Sequence, residues 1–430
     1  MKTLYPRQER HVDRLLSVLS DYGSVLDSSE TGTGKTVCGA EIASRANGNV
    51  LVVCPKAVIP SWQRELAERS VKADVINYEK LRTGKTKFGK WLNKKWVWTI
   101  PPSLIIFDEA HKCSGVGTQN AKMLIEAKDR HAVLMLSATI ASSPLQMRAA
   151  GWLLGAHMLG NYWQWCMKHG CVKNRWNGIE FAGGPSHIEA IARSIAHRCA
   201  RMKTAELADH FAETQIMTEP LAFGDEIADI YAEMENELEQ LEETMKGDSK
   251  NKAAQALVTQ LRARQRVELL KVPVIVEMAE DLLAEGKSVA IFVNFKATLE
   301  ALVPKLWPKA GISVIHGDQT AEERQKAIEL FQTDVSRVIL CNTAAGGVGI
   351  SLHDVTGKHP RAAIISPSWN EKDILQVIGR VHRAGGKTPS MQRIIFAAGT
   401  VEEKVQQSVS KKIKNLRTLN ELSCQKISEA

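Results

Sequence analysis

Ser29-Glu30-Thr31-Gly32-Thr33-Gly34-Lys35-Thr36 is the stretch that decides how this chain of 430 residues is read. It follows the apolar run Ser24-Val25-Leu26, so it reads as a Gly-rich turn between a strand and a helix. Such a turn presents backbone N–H groups to phosphate oxygens at a helix N-terminus. Lys35 can reach the outer phosphates, and Thr36 can ligate Mg²⁺. The turn from Thr31 through Gly32, Thr33 and Gly34 to Thr36 is therefore the candidate phosphate cradle. A second signature, Asp108-Glu109-Ala110-His111, follows the apolar run Leu104-Ile105-Ile106-Phe107 and spells the DEAH tetrapeptide. Asp108, at the end of a buried strand, would complete the metal site, and Glu109 is placed to polarise a water. Together the two signatures imply that a nucleoside triphosphate, with Mg²⁺, is bound and hydrolysed, ATP being the expected one.

Working outward, residues 1–200 alternate apolar runs with helical stretches. Val50-Leu51-Val52-Val53-Cys54, Val75-Ile76 and Val133-Leu134-Met135-Leu136 are continuous apolar strands. Such runs separated by helices indicate a parallel sheet covered on both faces. In residues 201–270, Ile227, Ile230, Tyr231, Met234, Leu238, Leu241 and Met245 recur at helical spacing opposite an acidic face. That stretch reads as a helical connector. From about 271 the alternation returns, with strands at Val289–Val293, Ile312–Ile315, Val338–Cys341 and Ala363–Ile365. The expectation is an α/β chain of two lobes, 1–200 and 271–430, joined by a helical insert. Val401, Val405, Val409, Ile413, Leu416 and Leu419 predict a last helix docked on the second lobe.

Composition narrows the class further. The chain is 44% hydrophobic and 24% charged, with net charge +8. That modest basic excess suits a polyanionic partner without proving one. The eight cysteines are scattered, which fits a reduced cytoplasmic protein better than a disulfide scaffold. Cys166, Cys171, Cys199 and His169 are too irregularly spaced to read as a zinc site in preference to core cysteines. No run approaches the length of a membrane span, and the N-terminus has no apolar signal region. We expect a monomer without a membrane partner.

Other motifs fall in a fixed order. Leu136-Ser137-Ala138-Thr139 follows the next strand. His316-Gly317-Asp318, the run Cys341–Ile350, Trp369-Asn370 and Gln376–Arg383 occupy the second half. With the two ATP signatures, this order resembles superfamily-2 helicases and translocases, which have two RecA-like lobes. Tyr5-Pro6-Arg7-Gln8, Cys54-Pro55-Lys56-Ala57-Val58, Ser61-Trp62-Gln63-Arg64-Glu65-Leu66 and Asn77-Tyr78-Glu79-Lys80-Leu81 are similar to the signatures of the Swi/Snf-type remodelling ATPases. The resemblance spans roughly residues 4–419.

The resemblance implies roles for individual residues. Arg7 and Gln8 would contact the nucleotide, Gln8 at the adenine edge. Arg380 and Arg383 would act as arginine fingers on one helical face, and Gln376 would contact the γ-phosphate or its water. Ser137, Thr139 and Gly349 would couple ATP turnover to the track. Lys56, Trp62, Asn294, Thr343, Gly346 and Trp369 would touch the nucleic-acid backbone. The clusters Trp91, Trp96, Trp98 and Tyr162, Trp163, Trp165 read as packing rather than base-stacking platforms.

Three departures count against nucleosome remodelling: the Ser-Glu-Thr-Gly-Thr-Gly loop, Ile140 after Ser-Ala-Thr, and no chromatin-reading appendage within the sequence. The expectation is a compact motor translocating on double-stranded DNA, the alternative being a strand-separating DNA or RNA helicase. A non-catalytic scaffold fits poorly with the intact set Lys35, Asp108, Glu109, Arg380 and Arg383.

Overall fold

The computed structural model describes residues 4–403 and 407, except 47, 102, 139, 175–177, 204–205, 208–211, 213, 224, 245–248, 308–309, 344–349, 368–370 and 384. The chain divides into two compact units between residues 208 and 209. The expected C-terminal helix beyond 407 lies outside the described residues, as do Thr139, Gly346, Gly349 and Trp369. Among the described residues, no helix is long and apolar enough to cross a membrane.

In the first unit, strands β1 (Ser24–Asp27), β2 (Asn49–Cys54), β3 (Ala73–Asn77), β6 (Ser103–Asp108), β7 (Ala132–Leu136) and β10 (Cys199–Ala200) form one sheet. Its order is β10-β1-β7-β6-β2-β3, and every pairing is parallel. β1 and β6 are buried at every residue, as expected of strands covered on both faces. Helices α1 (Pro6–Tyr22), α2 (Lys35–Arg45) and α3 (Ile59–Glu68) belong to this unit. Two antiparallel hairpins sit outside the sheet: β4 (Gly89–Leu92) with β5 (Lys95–Trp98), and β8 (Cys171–Lys173) with β9 (Ile179–Phe181).

In the second unit, β11 (Thr214–Leu221), β12 (Ser288–Val293), β13 (Ile312–Ile315), β14 (Val338–Asn342), β15 (Arg361–Ile365) and β16 (Ser390–Ala397) form a second parallel sheet. Its order is β11-β16-β15-β12-β14-β13. Each unit is thus a parallel sheet flanked by helices, the α/β architecture expected of RecA-like lobes.

The segment 201–270 differs from a separate helical connector. β11 pairs with β16 along its whole length. The helix Asp225–Thr244 buries Ile227, Ile230, Tyr231 and Met234 against Val267 of the helix Ser249–Leu270 and Ala397 of β16. The predicted apolar stripe exists over Ile227–Met234 and packs mainly on the helix Ser249–Leu270, with Ala397 of β16 as its contact to the second sheet. A strand pairing of such long sequence separation leaves no local periodicity to read.

Both aromatic clusters are mainly packing elements. Trp96, Trp98 and Tyr162 are buried, while Trp163 is exposed at the surface.

Candidate nucleotide site

The phosphate loop runs from buried β1 into α2. Gly34 caps α2 with φ 91°, and Gly32 has φ 89°. A side chain at Gly34 would be strained, and its Cβ would lie 2.6 Å from Gln8 Nε2. Two glycines at these positions let the loop bend back over the start of α2. Lys35 Nζ is held there, donating to the carbonyls of Ser29 at 2.8 Å and Glu30 at 2.9 Å. Thr36 follows in the first turn of α2, half-buried.

Gln8 is carried onto this loop by α1. Its Nε2 donates to Thr33 O at 2.9 Å, and its Oε1 accepts from Tyr5 N at 3.0 Å. A carboxamide has further donor and acceptor capacity beyond these two bonds. Arg7 points differently. It is largely exposed and pairs with Glu206 at 3.1 Å. The segment around Arg201 wraps the loop from its other side, with Arg201 bonding Glu30 at 2.9 Å and Met202 N donating to Ser29 Oγ at 2.9 Å.

Below the loop lies a buried polar cluster that the sequence reading missed. His11 Nε2 lies 3.1 Å from Asp27 Oδ1 and 3.2 Å from Ser29 Oγ. Asp27 Oδ1 also accepts from Ser29 N at 2.9 Å. Burial alone would raise the Asp27 carboxyl, but the His11 ring and Lys35 hold it below its ordinary value. The cluster therefore ties α1, β1 and the loop together.

Asp108 ends β6. Burial, with the Glu109 carboxylate beside it, pushes its carboxyl up to about 7, against the pull of Trp62 and Lys35. A buried carboxylate in this state is short of positive charge, which fits a cation-binding role. Asp108 Oδ2 accepts from Trp62 Nε1 at 2.8 Å, and Asp108 O accepts from Tyr78 Oη at 2.8 Å. Trp62 itself is fully buried, with its ring over Gly39. This corrects its expected role. A side chain with no exposed surface cannot touch a nucleic-acid backbone; it fixes the orientation of Asp108 instead.

Glu109 adopts φ 53°, ψ 50°, a left-handed conformation that costs a non-glycine residue about 1–3 kcal/mol. Its carboxylate lies 3.2 Å from His111 Nδ1, which in turn lies 3.3 Å from Ser137 Oγ. Ser137 N donates to Asp27 O at 3.1 Å. His111, to which the sequence reading gave no role, thus joins Glu109 to the Ser-Ala-Thr motif and so to the strand beneath the phosphate loop.

The second unit brings Arg380 and Arg383 together by a different route from the expected helical face. The helix Glu371–Ile378 ends before them. Both guanidinium groups instead donate to the Ile350 carbonyl, at 3.3 Å and 3.0 Å. Arg380 and Gln376 are buried, and Arg383 is half-buried.

The expected track residues separate. Lys56 is exposed. Thr343 is buried and donates to Val293 O at 3.0 Å, so its hydroxyl braces strand ends and does not face a ligand. That is a second correction. Asn294 Nδ2 donates to Glu268 Oε1 at 2.8 Å and Pro367 O at 3.1 Å.

Glu268 is a further residue the sequence reading passed over. Its buried carboxylate also accepts from Asn294 N, Phe295 N, Thr298 Oγ1 and Ser366 Oγ, at 2.7–3.1 Å. Its donors lie 26 to 98 residues away in sequence, so no local pattern reveals it.

Residues 1–142 match the family described as type III restriction enzyme, res subunit, and residues 271–385 match the helicase conserved C-terminal domain. An ATP-dependent RNA helicase, so named, of Acanthamoeba polyphaga mimivirus is 32% identical over 97% of this chain and 84% of its own length. A SWI/SNF-related matrix-associated actin-dependent regulator of chromatin from Drosophila melanogaster is 24% identical over 91% of this chain, which spans 53% of that relative. Human DNA excision repair protein ERCC-6-like is 31% identical over 30% of this chain and 10% of its own. The Sulfolobus solfataricus SWI2/SNF2 ATPase core in complex with dsDNA aligns over 97% of both chains at 19% identity, with a TM-score of 0.41.

Proposed function

The chain belongs to the Swi/Snf-type family of superfamily-2 helicases and is a nucleic-acid-dependent ATPase, and from that premise we propose that it translocates along double-stranded DNA without separating the strands. Lys35 and the loop amides hold the phosphates. Thr36 and Asp108 would hold Mg²⁺, which would supply positive charge beside the phosphates. Glu109 polarises the attacking water. The chain of contacts from Glu109 through His111 to Ser137 is the route by which the state of the site reaches the strand ends. The family pattern gives Gln376, Arg380 and Arg383 the stabilisation of phosphate charge.

The observation that carries the catalytic reading is the oriented Asp108: a buried carboxylate fixed by Trp62 and Tyr78, within the field of Lys35. Duplex DNA as the track is supported by the Swi/Snf-type signatures, including Asn77–Leu81 and Ser61–Leu66. RNA is the second reading, favoured by the name of the mimivirus relative.

ATP turnover measured in parallel with duplex DNA, single-stranded DNA and RNA separates the two. Duplex DNA should stimulate most, and a third, triplex-forming strand should be displaced while the duplex beneath stays paired. Stimulation by RNA alone, or efficient unwinding of a plain duplex without triplex displacement, would overturn the translocase reading.

A further inference from the structure

The net charge of +8 is not spread over the molecule. Residues 80–98 contain seven basic side chains and no acidic one, so the other 411 residues sum to +1. This stretch is the end of the short helix Tyr78–Leu81, the turn after it and the β4–β5 hairpin. Arg82, Lys85, Lys87, Lys90, Lys94 and Lys95 are all exposed. Lys87 and Lys95 have carboxylate neighbours in Asp74 and Glu126. Among the described residues, Lys85, Lys90 and Lys94 have no ion-pair partner.

The hairpin is rigid for a physical reason. Its inner face carries Gly89, Trp91, Trp96 and Trp98 in cross-strand register. Trp96 lies so close over Gly89 that a Cβ there would meet its ring at 2.3 Å. Trp98 is buried, stacks edge-on with Phe107 of β6, and donates to Met123 O at 3.2 Å. Trp91 donates to Arg82 O at 2.8 Å, fixing the entering turn. The tryptophans nail one face to the first unit's core, and the other face presents Lys90 and Lys95 outward.

The tip adds an independent observation. Asn93 and Lys94 form a two-residue turn with φ 50° and 63°. Turns of this hand take glycine at the second position because a side chain there is strained. Here that position holds a lysine, at a cost in backbone conformation. Solubility could be served by charge at any unstrained surface site. An exposed, strained lysine at the tip of a ribbon whose charged residues are all basic is the kind of backbone outlier that points to a function.

We propose that the β4–β5 hairpin is a second nucleic-acid contact of the first unit, its lysines gripping backbone phosphates of the duplex outside the residues of the helicase motifs. The proposal rests on the nucleic-acid-dependent reading above. Because backbone contacts carry no sequence information, the hairpin raises affinity and retention without selecting sites.

The test uses the full chain carrying Lys85→Gln, Lys90→Gln and Lys94→Gln together, and separately Lys94→Gly. Binding to a random-sequence DNA duplex is followed by fluorescence anisotropy across a salt series, beside ATP turnover without nucleic acid. The triple variant should bind roughly tenfold more weakly at 0.1 M salt, with the slope of log affinity against log salt reduced by about 0.9 per lysine. Its turnover without DNA should be unchanged. Lys94→Gly relieves the turn and must therefore keep the fold, yet should lose about one unit of slope. Wild-type binding that both variants reproduce, slope included, overturns the hairpin contact and leaves the motor reading standing. A wild type neither bound nor stimulated by any nucleic acid sinks both. Polyglutamate as a second probe covers the remaining partner: charge-dependent capture of it, with DNA binding intact in the variants, would reassign the surface to an acidic protein segment and overturn the proposal.

Discussion

The two units solve the same local problem in opposite ways. Each has a buried parallel strand that turns into a helix, leaving backbone N–H groups at the helix start without intrahelical partners. In the first unit the connection from β1 to α2 is residues 28–34, with glycines at φ 89° and 91°. In the second, only Asn294 and Phe295 separate β12 from the helix Lys296–Leu306. There the carboxylate of Glu268 takes the N–H groups of Asn294 and Phe295 and the hydroxyl of Thr298. The first unit also keeps a carboxylate nearby, but Asp27 is occupied lower down by Ser29 N and His11. The long glycine turn bonds the N–H groups of Ser28, Glu30 and Thr33 to backbone carbonyls, and in the proposed reading its glycine-rich end at the start of α2 takes the phosphate. A short one is closed by the protein's own anion. This difference accords with the proposed nucleotide site lying on the first sheet.

The comparison breaks first at catalysis. Lys35→Ala should abolish ATP binding and turnover, while Glu109→Gln should retain binding and lose turnover by orders of magnitude, since the two groups sit on different elements. Nucleotide affinity by titration calorimetry, beside steady-state turnover, separates them. Near wild-type turnover in Glu109→Gln would remove Glu109 from the mechanism. Arg380→Ala and Arg383→Ala should follow, slowing turnover by roughly 10³–10⁵ with DNA affinity nearly intact. Because both guanidinium groups share the Ile350 carbonyl, the double variant should cost less than the product of the singles.

Glu268→Ala tests the second turn directly. It leaves several buried donors unpaired and should destabilise the protein by about 3–5 kcal/mol. The emptied turn then resembles the first unit's, so sulfate should raise the melting temperature of this variant more than that of wild type. Equal response to sulfate would mean that the carboxylate is not standing where an anion can bind.

How much of this could be read from sequence depends on the range of each interaction. Continuous apolar runs such as Leu104–Phe107 announce buried strands, and a glycine turn before Lys35 announces a phosphate loop, because both are local. Trp62 was misassigned because its partner Asp108 is 46 residues away and its motif gives no hint of burial. β11 escaped notice because its strand partner, β16, lies far along the chain, Thr214 and Ser390 being 176 residues apart. Thr343 fails for the same reason: its acceptor, Val293 O, is 50 residues distant. The basic hairpin was legible in composition, but only once charge is counted segment by segment.

The smallest effect concerns the cluster beneath the first turn, and it changes sign rather than size. Asp27 is held below its ordinary value of 3.8 although burial opposes this, because His11 and Lys35 outweigh the burial. A depressed carboxyl means that the folded state holds fewer protons than the unfolded state between its folded value and 3.8. Its contribution to stability is therefore present above 3.8 and is lost as pH falls through the folded value. In His11→Ala, burial is opposed mainly by Lys35, and the carboxyl should rise above 3.8. The folded state then holds the extra proton, and the same group favours folding at low pH and loses that contribution as pH rises through its new value. Thermal midpoints from pH 3 to 6, compared between wild type and His11→Ala, read this out. The variant should be less stable by about 1–3 kcal/mol near neutrality, with the gap narrowing toward acid. A constant gap across the series would mean that His11 packs against β1 without setting the charge of Asp27, and the first turn's carboxylate would then be held at its base by Ser29 N and Lys35 alone.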